Sequence, residues 1–133
     1  MHKGSCLCGA VRYEIAGELG PIVLCHCSKC RKASGSAFNA VSPVARRDFR
    51  LLSGADAIAR YEPSPGVRLA FCRHCGSSLF SERDSLPDVL RLRIGTLDTP
   101  VGVRPSAHIF VASKADWFEI LDGAPQHAER PAG

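Results

Sequence analysis

Seven cysteines fall in three tight groups, Cys6-x-Cys8, Cys25-x-Cys27-x-x-Cys30 and Cys72-x-x-Cys75. Thiolates sit about 2.3 Å from a tetrahedral zinc, so sulfurs one or two residues apart on a tight turn can reach a single ion. An odd count cannot pair entirely as disulfides, and residues 1–5 lack the apolar character of a secretory signal. The expectation is therefore a soluble cytoplasmic protein whose cysteines bind metal.

The three cysteines at 25, 27 and 30 can meet one ion without help from elsewhere in the chain. That leaves Cys6, Cys8, Cys72 and Cys75 for a second site joining the beginning of the chain to its middle. Spacing alone leaves another assignment open, with Cys72 and Cys75 completing the site of the triad. Four thiolates close a structural zinc site, whereas three leave a coordination position for a reactant. Two zinc ions are expected, one structural and one catalytic.

Three thiolates around a dication leave a net charge near minus one, so such a zinc is a weak Lewis acid suited to thiol chemistry. A substrate thiol that reaches the open position loses its proton and becomes a nucleophile toward an aldehyde carbon. A developing alkoxide needs a proton donor, for which His108 is the candidate. The competing reading of His108 is a buried, hydrogen-bonded core histidine. His26, between two ligand cysteines in extended chain, points its ring away from their sulfurs, and His2, His74 and His127 read as structural or solvated. Lys29, Arg31 and Lys32 offset the negative site and are candidates for holding substrate carboxylates, or else form the solvated face of a helix.

The elements that position these groups read as mainly β. Val11, Tyr13 and Ile15 alternate with Arg12 and Glu14, and Ile22, Val23 and Leu24 lead into the triad. Further strands are expected at 37–41, 57–61, 67–71, 77–81, 89–94 and 108–112, with turns at Ser53-Gly54, 63–66 and 98–100. One short helix is expected at 29–33, with Ser28 as N-cap and Gly35 ending it. Trp117, Phe118 and Ile120 read as core. The length of 133 residues fits one domain, taken as 1–123, followed by a loose tail at 124–133.

Seventeen Lys and Arg against thirteen Asp and Glu give a formal charge of +4, spread along the chain, and nine aromatics are scattered. That composition does not build a nucleic-acid surface by itself. No Gly-rich phosphate loop, HExxH motif or apolar run of membrane-spanning length is present.

The segments Gly4-Ser5-Cys6-Leu7-Cys8-Gly9-Ala10-Val11-Arg12-Tyr13, Cys25-His26-Cys27-Ser28-Lys29-Cys30-Arg31-Lys32, Phe71-Cys72-Arg73-His74-Cys75-Gly76, Gly95-Thr96-Leu97-Asp98 and His108-Ile109-Phe110-Val111, with Lys114-Ala115-Asp116-Trp117, follow one another in order. Together they resemble the glutathione-dependent formaldehyde-activating enzyme family, which includes the centromere protein V domain. The resemblance implies a β-tent fold with zinc knuckles and two zincs: a structural one on Cys6, Cys8, Cys72 and Cys75, and a catalytic one on Cys25, Cys27 and Cys30. It also implies a carbon-sulfur lyase acting on adducts of glutathione, or another small thiol, with formaldehyde or a related aldehyde. The alternative function is a zinc-stabilised binding module without catalysis, for example for nucleic acid.

Overall fold

Period-two alternation places Tyr13 and Ile15 on one face, where they are 1% and 0% exposed, while Arg12 faces solvent. The same logic runs through the computed structural model, which describes residues 1–131. Its elements are β1 (His2–Ser5), β2 (Arg12–Ile15), β3 (Val23–Cys25), α1 (Ser28–Ser34), β4 (Asn39–Ala45), β5 (Phe49–Ser53), β6 (Ile58–Ser64), β7 (Val67–Cys72), β8 (Ser78–Arg83), β9 (Leu86–Arg93) and β10 (Ala107–Ile109). The fold is mainly β, as the alternation requires, and α1 is the one α-helix among the described residues. Among the described residues no helix is long and apolar enough to cross a membrane.

The chain packs as two compact units, each built from two separate segments. The first comprises residues 1–20 and 42–102. In it β1, β2 and β5 form an antiparallel three-stranded sheet, and β4, β9, β8, β7 and β6 follow one another in a second sheet. Val11, Ala70, Leu79, Phe80 and Leu90 pack with Cys6 and Cys72 in one core cluster, and Tyr13, Ile15, Val44 and Leu92 form another. Two of the seven cysteines are thus themselves core residues.

Glu82 on β8 is 7% exposed and accepts hydrogen bonds from Arg60 Nε at 2.6 Å and Arg46 Nη2 at 2.8 Å. Burial alone would raise its pKa, but the two guanidinium groups outweigh burial and hold it below the ordinary carboxylate value. A carboxylate depressed in the folded state adds stability above its unfolded pKa and loses it as pH falls through the folded one. Glu82→Gln is expected to cost about 1.5–3 kcal/mol at pH 7, the range of a hydrogen bond to a charged group. The gap to the unsubstituted protein should begin to narrow below the ordinary glutamate pKa of about 4.3, where the unfolded chain protonates. It should go on shrinking as the folded carboxylate, held lower, protonates in its turn. Denaturant unfolding of both proteins at each pH measures that gap; a gap unchanged from pH 7 to 3 contradicts the assignment.

The second unit comprises residues 21–41 and 103–131 of the described chain. Here β10 runs parallel to β3, pairing His108 with Leu24 and Ile109 with Cys25, and β3 pairs antiparallel with the start of β4. Residues after Gly123, expected as a loose tail, are instead tied down. His108 N–H donates to the Pro125 carbonyl at 2.8 Å, His127 N–H to the His108 carbonyl at 2.9 Å and Phe110 N–H to the Glu129 carbonyl at 3.0 Å. The exposed edge of β10 is satisfied by this segment, which is why polar, proline-containing chain becomes ordered there. Residues 132–133 of the expected tail lie outside the described chain.

Candidate active site

The cysteine groups form at strand ends. In the first unit the chain leaves β1 at Cys6, turns and enters β2. Cys6 N–H donates to the Val11 carbonyl at 3.0 Å, Gly9 N–H donates to the Cys6 carbonyl at 3.1 Å, and Val11 N–H reaches Cys6 Sγ at 3.2 Å. The β7 to β8 turn repeats the device: Cys72 N–H donates to the Ser77 carbonyl at 2.9 Å and Gly76 N–H to the Cys72 carbonyl at 2.7 Å. Gly9 at φ 81° and Gly76 at φ 80° occupy the left-handed region, which explains why each cysteine pair ends in glycine. Leu7 N–H donates to Ser77 Oγ at 2.9 Å and fixes one turn against the other.

These turns bring Cys6, Cys8, Cys72 and Cys75 together with all four Sγ atoms within 4.8 Å of one another. Cys6 and Cys8 sulfurs lie 3.6 Å apart, and those of Cys8 and Cys72 lie 3.8 Å apart. A tetrahedron with zinc-sulfur bonds of about 2.3 Å has edges of about 3.8 Å, so this donor set fits zinc in chemistry and in spacing. Without a cation the sulfurs compete for protons. Ser77, through its hydroxyl and backbone N–H, lowers Cys75 to about 5. Cys8 is pushed up to about 11 by Cys6 and the other sulfurs, although the Ala10 backbone N–H favours its thiolate. A dication removes that conflict.

In the second unit Cys25, Cys27 and Cys30 form a separate group, again with their Sγ atoms within 4.8 Å of one another. The structure thereby assembles four and three, not the mixed set with Cys72 and Cys75 beside the triad. Cys25 ends β3, and Cys27, not Ser28, is the N-cap of α1: its sulfur accepts the Cys30 N–H at 3.3 Å. A sulfur that caps the helix presents the next cysteine within the first turn, so capping and ligand geometry are one arrangement. Gly35 ends α1 as expected, its N–H bonding to the Arg31 carbonyl at 2.8 Å. Cys25 is raised well above the ordinary thiol range, by its contact with Cys30 first and by burial second. No disulfide links any of the seven cysteines.

Lys29 and Lys32 are exposed on α1, while Arg31 is half-buried with its Nε lacking a hydrogen-bond partner. All three stand on the helix that carries Cys30.

His26 is 0% exposed, and its ring packs against Phe38 and Phe118 at centroid distances of 5.4 and 6.1 Å. His26 Nε2 lies 2.8 Å from His108 Nδ1, and His108 Nε2 lies 2.8 Å from the Asp122 carboxylate. A carboxylate only accepts, so His108 donates through Nε2, and its Nδ1 shares the second hydrogen bond with His26 Nε2. Burial first, then the charges of His108 and Lys114, pushes His26 down and keeps it neutral. Asp122 is lowered by the Ala124 N–H and then by His108. Asp122 was not legible in the sequence, where it is one acid before a glycine. Trp117, expected in the core, is 69% exposed. His74 stands exposed in its turn, while His2 and His127 are half-buried.

Residues 1–113 match the sequence model of the glutathione-dependent formaldehyde-activating enzyme family. The chain belongs to that family. Two curated relatives, from Aspergillus flavus and Aspergillus oryzae, are provisionally named glutathione-dependent formaldehyde-activating enzyme. Each is 30% identical over 116 residues, covering 86% of this chain and 54% of the relative. The chain thus spans about half the length of the curated relatives it matches. A crystal structure of a Rhodobacter sphaeroides protein has the same fold, with a TM-score of 0.62 and 30% identity over 77% of this chain and 91% of that one. The family match covers all seven cysteines, in both units.

Proposed function

We propose that this family member is a zinc-dependent carbon-sulfur lyase that interconverts a small thiol plus formaldehyde, or a related aldehyde, with the S-hydroxymethyl adduct. The observation that carries the reading is the separate three-sulfur group, which has one donor fewer than a closed tetrahedral site. Cys6, Cys8, Cys72 and Cys75 hold a structural zinc, and Cys25, Cys27 and Cys30 hold the reactive one. A zinc with three thiolates supplies a position where a substrate thiol is held as thiolate beside the aldehyde.

The chain's own residues bind and orient. Arg31, whose Nε is unpartnered, and Lys29 and Lys32 on the same helix receive the carboxylates of a glutathione-like thiol. The buried ring of His26, packed against the half-buried Phe38 and Phe118, excludes water from one side of the cysteine turn. No proton step is assigned to His108, because both its ring nitrogens are engaged. Seven cysteines outside disulfides suit a reducing compartment, so the protein belongs in the cytoplasm.

Cobalt substituted for zinc reports the open position directly. Glutathione should alter the visible spectrum of the three-sulfur site saturably, and the effect should fade as pH falls because protons compete for the sulfurs. Replacing Arg31 and Lys32 together should raise the half-saturating concentration about tenfold, the loss expected for charge-assisted contacts. A spectrum indifferent to every thiol tried would leave a zinc-stabilised binding module in place of the lyase.

A further inference from the structure

Asn39 is an unusual residue for its place. It lies in the run from Ala37 to Val41 and opens β4, although asparagine is a poor strand former, and it is 5% exposed. Its Nδ2 is buried and meets no hydrogen-bond acceptor, Cys25 Sγ included. A donor buried without a partner lowers stability, so its presence points to a partner that arrives from outside the chain.

The strand register says what the amide faces. β3 and β4 pair antiparallel with Cys25 opposite Asn39, and β10 pairs parallel with β3 so that Ile109 stands beside Cys25. Residues directly opposite on antiparallel strands carry their side chains on one face of the sheet, with Cβ atoms about 4.5–5.5 Å apart. Along the row Ile109, Cys25, Asn39 the one polar side-chain atom besides the amide is the Cys25 sulfur, a member of the three-sulfur group. Three buried atoms without a partner fall in the second unit: His26 Nδ1, Arg31 Nε and Asn39 Nδ2. They belong to the cysteine turn, to its helix and to the residue paired with Cys25, so the unit's unspent polar atoms gather around one place. Arg31 is matched to carboxylates above, and the other ring nitrogen of His26 is held by His108. Asn39 is left as a neutral donor on the face that carries Cys25.

We propose that Asn39 donates its Nδ2–H to the aldehyde oxygen, and to the hydroxymethyl oxygen of the adduct, at the position beside Cys25, Cys27 and Cys30. The inference rests on the lyase reading and deepens it by naming the group that meets the oxygen. As the sulfur lone pair forms the carbon-sulfur bond, the carbonyl π pair moves onto oxygen, and water returns to that oxygen the proton that the thiol has lost. Asn39 itself gives up no proton. Its hydrogen bond strengthens as charge builds on the oxygen, which lowers the barrier in both directions. A carboxylate at this place would repel the sulfurs and the developing oxyanion alike, and an apolar side chain would offer the oxygen nothing.

Thioacetate tests the contact without turnover, because its oxygen sits on the carbon bonded to sulfur, as in the adduct. Ethanethiol offers the sulfur alone. With cobalt in the three-sulfur group, the visible spectrum of the native protein should respond saturably to both. Asn39→Leu, similar in size and without a donor, should weaken thioacetate about tenfold, the loss of one charge-assisted hydrogen bond, and leave ethanethiol within about twofold. Asn39→Ala, which cannot clash with its neighbours, should show the same selective loss. Asn39→Leu should also lower the maximal rate of adduct exchange about a hundredfold with its zinc content unchanged, the range for removing one oxyanion donor. Equal losses for the two ligands, or thioacetate binding indifferent to residue 39, overturn the proposal and leave the thiol site standing. A native cobalt spectrum unmoved by ethanethiol removes the thiol site itself, and this proposal with it.

Discussion

Cys72→Ser should unfold the first unit. Cys72 is 0% exposed, and its sulfur lies 3.8 Å from that of Cys8, joining the turn after β1 to the turn after β7. Metal binding at a closed four-thiolate site supplies about 10–16 kcal/mol of folding free energy. Whole domains are stable by only about 5–15 kcal/mol, so weakening this site removes most of what holds the unit. The serine also places a hydroxyl among Cys6, Val11 and Leu79, where the core offers it no metal to bind. Far-UV circular dichroism and a thermal melt of the purified variant should show loss of most strand signal below about 40 °C, well under the usual range for a domain. A variant that melts with the unsubstituted protein would assign the structural role elsewhere.

Cys27→Ser should do the opposite, leaving a folded protein that has lost one of two zinc ions. Serine is among the best N-cap residues, so its oxygen can take over the Cys30 N–H that the sulfur accepts in the native protein. The helix start therefore survives while the three-sulfur group loses a donor. Removal of zinc by a mild chelator should pass from two phases in the unsubstituted protein, fast from the three-sulfur group and slow from the four-sulfur group, to the slow phase alone. Metal analysis should fall from near two zincs per chain to near one. If Cys27→Ser collapses the fold and Cys72→Ser does not, the two groups have their roles reversed.

The three local cysteine groups were legible in the sequence because a turn of three or four residues fixes which sulfurs are neighbours, whereas the meeting of Cys6 and Cys8 with Cys72 and Cys75 was left open by spacing alone. Strands with alternating apolar residues were legible for the same reason, among them Arg12–Ile15, Val67–Cys72, Ser78–Arg83 and Leu86–Arg93, with boundaries shifted by a few residues, whereas β5 (Phe49–Ser53) was not among the expected strands. β1 was not, because His2–Ser5 carries no apolar alternation and buries only a glycine. Gly4 is required there: a Cβ would lie 2.2 Å from the Tyr13 hydroxyl, so the strand is defined by what packs over it.

Long-range pairing was equally hidden. Nothing around Asp122 marks it as the partner of His108, and nothing around Pro125 marks the segment that covers the edge of β10. Cys27 was misread as a ligand only, when it is also the helix cap, because cysteine is rarely given that role. Trp117 was placed in the core on apolar neighbours alone, whereas the turn that exposes it depends on Lys114 reaching two backbone carbonyls.

The most direct test of the account is the rate at which glutathione and formaldehyde equilibrate with their S-hydroxymethyl adduct, followed by exchange spectroscopy, with Cys27→Ser protein as the control for the spontaneous reaction. The zinc-loaded native protein should accelerate exchange in proportion to its concentration, and the Cys27→Ser protein, folded and carrying its structural zinc, should not exceed the spontaneous rate. Equal exchange rates with the two proteins, across several thiols and aldehydes, would contradict the lyase assignment.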